Sequence, residues 1–97
     1  MDVLSVLGRE PAMYIDGSWA TADETRPVIN PADEASVAEV PEADASHAER
    51  ALEAASRSQK EWARKTGVER GSALRALAEG FRARLVVLAQ LVVAEQG

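Results

Sequence analysis

Cysteine is absent from all 97 residues. That one absence excludes disulfides, thiolate metal ligands and a cysteine nucleophile together. Histidine occurs once, as His47, so no second imidazole is available for a metal set or an acid–base pair. Aromatic residues are scarce as well: Tyr14, Trp19, Trp62 and Phe81 are the only four. The apolar content comes from Ala, Val and Leu, and alanine buries little area. Ordering a chain costs on the order of 1.5 kcal/mol per residue, so a single domain of this size and composition has little stability to spare. Glycine-rich phosphate loops are missing too, with neither a G-x-G-x-x-G nor a G-x-x-x-x-G-K-[ST] pattern. Leu85–Ala94 is apolar apart from Gln90, but it falls short of the roughly 20 residues that span a bilayer. It reads as a buried helix. The opening MDVLSVLGREP has no long apolar core of the secretory kind. A cytoplasmic protein with no membrane partner is the expectation.

The net charge of −5 is unevenly placed. Residues 1–45 hold two basic and ten acidic side chains, a net of −8, and residues 46–97 hold nine basic and six acidic, a net of +3. The acidic half argues against nucleic acid as a partner. In the other half Arg and Lys alternate with Glu at helical spacing, which describes a solvated helix face.

Residues 1–11 have no sustained periodicity and read as a leader, disordered or a short unanchored helix. Met13 to Ala20 reads as a β-hairpin, because Asp16-Gly17 supplies the positive φ angles of a type I′ turn. A second hairpin pairs Pro27-Val28-Ile29 with Ser36–Val40 around the turn residues Asn30-Pro31-Ala32-Asp33, and Pro41 ends it. Residues 44–97 are helical. Ser46-His47-Ala48-Glu49 has capping-box spacing, with Asp44 as a rival cap, and Thr66-Gly67-Val68-Glu69 is a second box. Ala48, Leu52, Ala55 and Trp62 make one apolar stripe, opposite Arg50, Glu53, Arg57, Lys60 and Arg64. Leu74, Leu77, Ala78 and Phe81 make another. A third helix, or a bent continuation, runs through Val86–Ala94, with Gly97 just past its end. The fold class is therefore an α+β segment: two hairpins over 12–41, then two or three helices over 44–97.

Candidate chemistry is thin. His47 sits in a first helical turn, where it reads as a solvated neighbour of the cap. Asp33 and Glu34 are adjacent in a turn and diverge, unlike carboxylates that face each other across a substrate. Ser46 is the only serine beside a histidine. Trp62 and Phe81 lie on apolar faces and read as core. No catalytic and no coenzyme-binding residue emerges.

Three stretches, in order, resemble the opening of NAD(P)-dependent aldehyde dehydrogenases. Met13-Tyr14-Ile15-Asp16-Gly17-Ser18-Trp19 is similar to the family's Y-I-[ND]-G-x-W hairpin. Val28-Ile29-Asn30-Pro31-Ala32 followed by Val37-Ala38-Glu39-Val40-Pro41 is similar to its N-P-A turn and I-A-x-V-P strand. Ala51-Leu52-Glu53-Ala54-Ala55 through Trp62, then Glu69-Arg70, Leu74-Arg75 and Glu95-Gln96-Gly97, follow its helical run. The resemblance covers residues 13–97 and is closest to the lactaldehyde, glycolaldehyde and betaine-aldehyde type. One departure is Val86-Val87, where the family often carries acidic residues.

The resemblance implies a Rossmann-like coenzyme domain of which this segment forms the outer N-terminal part. It implies oxidation of an aldehyde through a cysteine thiohemiacetal, with hydride transfer to NAD(P)+. The family's cysteine, general-base glutamate, oxyanion-hole asparagine and coenzyme site all lie downstream of the matched segment. None carries over, so the chain is expected to be inactive alone and to bind no coenzyme. In several members, backbone carbonyls before the Asn-Pro turn and a carboxylate near the end of the third helix hold a monovalent cation. The matching positions are Val28, Ile29 and Glu95. Three readings stay open: a truncated gene product or pseudogene remnant, one half of a split enzyme, and a non-enzymatic helical interaction module. The expected partners are the missing downstream domains or a second copy of the chain.

Overall fold

The structure is a computed structural model, and it describes residues 3–97. Met1 and Asp2, part of the expected leader, lie outside the described residues. The rest of that leader takes the helical option over Val3–Leu7 (α1), and Gly8 N–H closes it on the Leu4 carbonyl at 2.9 Å. Val3 is buried, in a depression shared with Val37 and Ala38, so an apolar side chain holds the short helix in place.

Met13–Ile15 (β1) and Ser18–Ala20 (β2) form the first antiparallel hairpin. Asp16 and Gly17 have φ of 54° and 75°, the two left-handed residues of a type I′ turn. Tyr14 pairs across the ladder with Trp19, and their rings meet edge to face at 4.9 Å. The Arg9 guanidinium covers the open face of Trp19 at 3.8 Å.

Thr25–Ile29 (β3) and Ser36–Pro41 (β4) form the second hairpin, a separate two-stranded sheet. It is longer than the sequence suggested. Thr25 and Arg26 join the ladder, Pro41 pairs with Thr25 instead of ending the strand before it, and Glu42 N–H still reaches the Glu24 carbonyl at 2.8 Å. Pro41 and Pro27, which pairs with Glu39, are tolerated because each strand of a two-stranded ribbon is an edge, where a missing N–H goes unnoticed. In the turn, the Asn30 carboxamide oxygen accepts from Ala32 N–H at 2.9 Å and Asp33 accepts from Ala35 N–H at 3.0 Å. A bulge follows, since Val28 pairs with Ala38 but Ile29 pairs with Ser36, leaving Val37 without a partner in the register.

Three helices complete the chain: Ala45–Arg64 (α2), Gly67–Ala83 (α3) and Leu85–Gln96 (α4). The cap of α2 is Asp44, not Ser46: its carboxylate accepts from His47 N–H at 3.0 Å, and the Ser46 hydroxyl donates to that carboxylate at 2.7 Å. Asp44 has the extended backbone a cap requires, with φ −104° and ψ −176°. At α3 the predicted box forms, with Thr66 N–H to Glu69 Oε2 at 2.8 Å and Glu69 N–H to Thr66 Oγ1 at 3.2 Å. Arg84 breaks the helical run, so α4 is a separate helix. Gly97, at φ 79°, closes it with its N–H on the Val93 carbonyl at 2.9 Å.

Packing departs from expectation in two ways. First, α2 does not turn its apolar stripe inward. The residue it buries is Ala54, about a third of a turn around the helix from the stripe centre. Arg57, on the face read as solvated, donates to Asp16 at 2.9 Å and ties α2 to the β1–β2 turn. Leu52 stays 69% exposed. Second, α4 was expected to be buried, and none of its residues is. Trp62 is only half-buried and Phe81 is exposed, so neither is a core residue. Among the described residues the buried apolar set is Val3, Ile15 and Ala54. Too few elements lie against one another to cover the stripes.

Candidate docking surface

Each residue singled out from the sequence has a definite place. The His47 side chain is only 12% exposed, so it is not solvated. Its Nδ1 accepts from Asp44 N–H at 3.1 Å, which makes His47 the reciprocal partner in the box, where Glu or Gln is usual. The Ser46 hydroxyl is engaged with Asp44, so the two neighbours do not form a nucleophile–base pair. The depression beside them, about 420 Å³, is lined by Asp23, Glu24, Glu42 and Asp44 among others, and its carboxylates disfavour an anionic ligand. The carboxylates of Asp33 and Glu34 are not drawn together. Asp33 bonds the backbone, and Glu34 is the left-handed residue of the turn with φ 61°.

Among the described residues, the proton affinities of Asp44 and Arg57 are displaced from their ordinary values. Asp44 is held below the ordinary aspartate value of 3.8, first by the Ser46 hydroxyl and then by the His47 N–H. Arg57 is raised by its hydrogen bond to Asp16. Both belong to fastenings of α2 and not to a reaction centre. No group of three or more His, Cys, Asp or Glu side chains is placed to hold a metal among the described residues.

Val28 and Ile29 end β3 at the Asn30-Pro31 turn, and Glu95 stands exposed in the last turn of α4. The segments that follow these two elements approach each other: a Cβ added to Gly97 would lie 3.3 Å from both the Ala32 nitrogen and Pro31 Cβ.

The dominant surface feature is apolar. Val68, Leu74, Leu77, Phe81, Leu85, Val86, Val92 and Val93 are all more than half exposed. Between α4 and Asn30 runs an open groove of about 810 Å³, lined by Leu85, Val86, Ala89, Gln90, Val93 and Ala94 on the helix side. A compact protein of 10.4 kDa would expose roughly 5,400 Å²; this chain exposes 7509 Å². Its radius of gyration is 16.5 Å, where a compact domain of this length has about 12.5 Å. Sequence periodicity identified the faces that need cover, and it could not say that the described residues would leave them open.

Comparison with known proteins gives the chain its relatives. The model of the aldehyde dehydrogenase family matches residues 19–97. Lactaldehyde dehydrogenase of Escherichia coli (strain K12) is 40% identical over 87 residues, which are 88% of this chain and 18% of that protein. A 3,6-anhydro-alpha-L-galactose dehydrogenase of Streptomyces coelicolor is 38% identical, covering 99% of this chain and 20% of its own length. A solved structure of a 3,6-anhydro-L-galactose dehydrogenase in complex with NAP superposes with a TM-score of 0.84 at 41% identity, over 92% of this chain and 19% of that one. The chain thus spans about a fifth of the length of the relatives it matches. With the family model matching most of its residues, and a solved relative superposing over most of its length, this chain belongs to the aldehyde dehydrogenase family.

Proposed function

We propose that this segment is the outer, non-catalytic layer of an NAD(P)-dependent aldehyde dehydrogenase. Its helices dock their apolar faces on the downstream coenzyme domain. The surface excess carries this reading: 7509 Å² exposed against roughly 5,400 Å² for a compact protein. That difference exceeds the roughly 1,000 Å² that each partner gives to the smaller obligate interfaces. The segment itself performs no step of the oxidation. With no cysteine it offers no thiolate for a covalent intermediate. Its residues do not fit a dinucleotide either. The N-termini of α2 and α3, where a pyrophosphate would seat, are closed by their own Asp44 and Thr66–Glu69 caps.

The test is a chimera. Residues 13–97 would replace the matching segment of Escherichia coli lactaldehyde dehydrogenase. Soluble protein that reduces coenzyme with a short aldehyde is the expected result, and the 97-residue chain alone should show none. A chimera that stays insoluble in every register, or turnover by the isolated chain that survives repurification, overturns the reading.

In the assembled enzyme, the carbonyls of Val28 and Ile29 with the Glu95 carboxylate supply oxygen donors for a monovalent cation. The contact of Gly97 with Pro31 and Ala32 supports this by joining the two elements. The thermal midpoint of the chimera should be higher in potassium or sodium chloride than in tetramethylammonium chloride. Glu95→Gln should remove that difference.

A further inference from the structure

We infer that the free chain forms a two-fold symmetric dimer by antiparallel pairing of α4, the groove of each copy receiving the α4 of the other. α4 is apolar on every side and has no buried residue, a composition that belongs in an interior. Its groove face is lined by Leu85, Val86, Ala89, Gln90, Val93 and Ala94. These six are symmetric about the midpoint between Ala89 and Gln90. An antiparallel second α4 crossing there sets Leu85 against Ala94, Val86 against Val93 and Ala89 against Gln90, and the two Gln90 amides lie side by side across the axis. The same axis sets Arg84 against Glu95 at both ends. Glu95 has no ion-pair partner among the described residues, and Arg84 makes only a long 3.4 Å bond to the Gly80 carbonyl. A parallel pairing would place Arg84 beside Arg84 and Glu95 beside Glu95, so charge selects the antiparallel arrangement. An isologous contact of this kind closes on itself at two copies.

This inference needs no downstream chain, so its failure leaves the docking reading of the whole enzyme standing. The test is sedimentation velocity of the full 97-residue chain across a concentration series, with circular dichroism to confirm that helix content is unchanged in each variant. The expected species is twice 10.4 kDa. Val93→Lys should leave a monomer, because it puts a lysine near each end of the seam. Arg84→Glu and Glu95→Arg should each raise the dimer dissociation constant about tenfold through two broken ion pairs, and the double swap R84E/E95R should restore it. A wild-type monomer at all concentrations, an open-ended series of larger species, or single swaps that weaken nothing would each overturn the dimer.

Discussion

At the scale of single residues, the caps hold the helices where they begin. Asp44 is ionised more readily than an ordinary aspartate because the Ser46 hydroxyl and the His47 N–H bond its charged form. A carboxyl whose folded pKa is depressed stabilises fully above its unfolded value and loses that contribution as pH falls through the folded value. The first turn of α2 should therefore fray in the range below 3.8, and not on the alkaline side. Backbone chemical shifts of Ala45 to Ala48 followed during acidification would show it. Asp44→Ala should show the frayed state at neutral pH, and Ser46→Ala should move the transition upward. Thr66→Ala removes the oxygen that receives Glu69 N–H and should cost about 1 kcal/mol of stability in α3. Hydrogen exchange of the amides in its first turn measures this.

At the scale of elements, local chemistry was legible and mutual placement was not. Asp16-Gly17, Asn30-Pro31 and Thr66–Glu69 act on their own backbone within a few residues, so their turns and caps could be read from the chain. The orientation of α2 could not. Periodicity shows which face wants cover, whereas α2 meets β1 on the face that holds Arg57, which reaches Asp16 in the turn. The same gap misplaced α4: its composition asks for an interior that no other described element supplies. The proposed cation residues come from family likeness alone, and nothing in their own spacing marks them. The type I′ turn gives the hairpin a checkable weak point. Gly17→Ala places a Cβ at φ 75° and should cost about 1 kcal/mol. Nuclear Overhauser contacts between the Tyr14 and Trp19 rings should fade with it, while those within α3 persist.

At the scale of the whole molecule, stability is shared out among pieces and is not gathered in a core. Val3, Ile15 and Ala54 cannot lock two hairpins and four helices into one cooperative unit. Far-ultraviolet dichroism should show helix. Dilute samples should melt broadly and bind a hydrophobic dye, the marks of loose packing. If two copies cover each other's α4, the melt should sharpen and move upward with concentration, as mass action requires. A sharp, concentration-independent melt from a dye-silent monomer would contradict both statements.

The local pairing of the strands has a further consequence. Among the described residues β1 pairs only with β2 and β3 only with β4, so each of these ladders joins neighbours in the sequence. Such contacts form within microseconds, and they come apart as easily, because the long-range ties on them, such as the exposed Arg57–Asp16 pair, are weak. In a cell, a chain that opens piece by piece with an apolar helix in view is what degradation machinery removes. Its lifetime should then be set by whatever covers α4, so that the amount of this segment reports the supply of its partner more faithfully than the rate of its own synthesis.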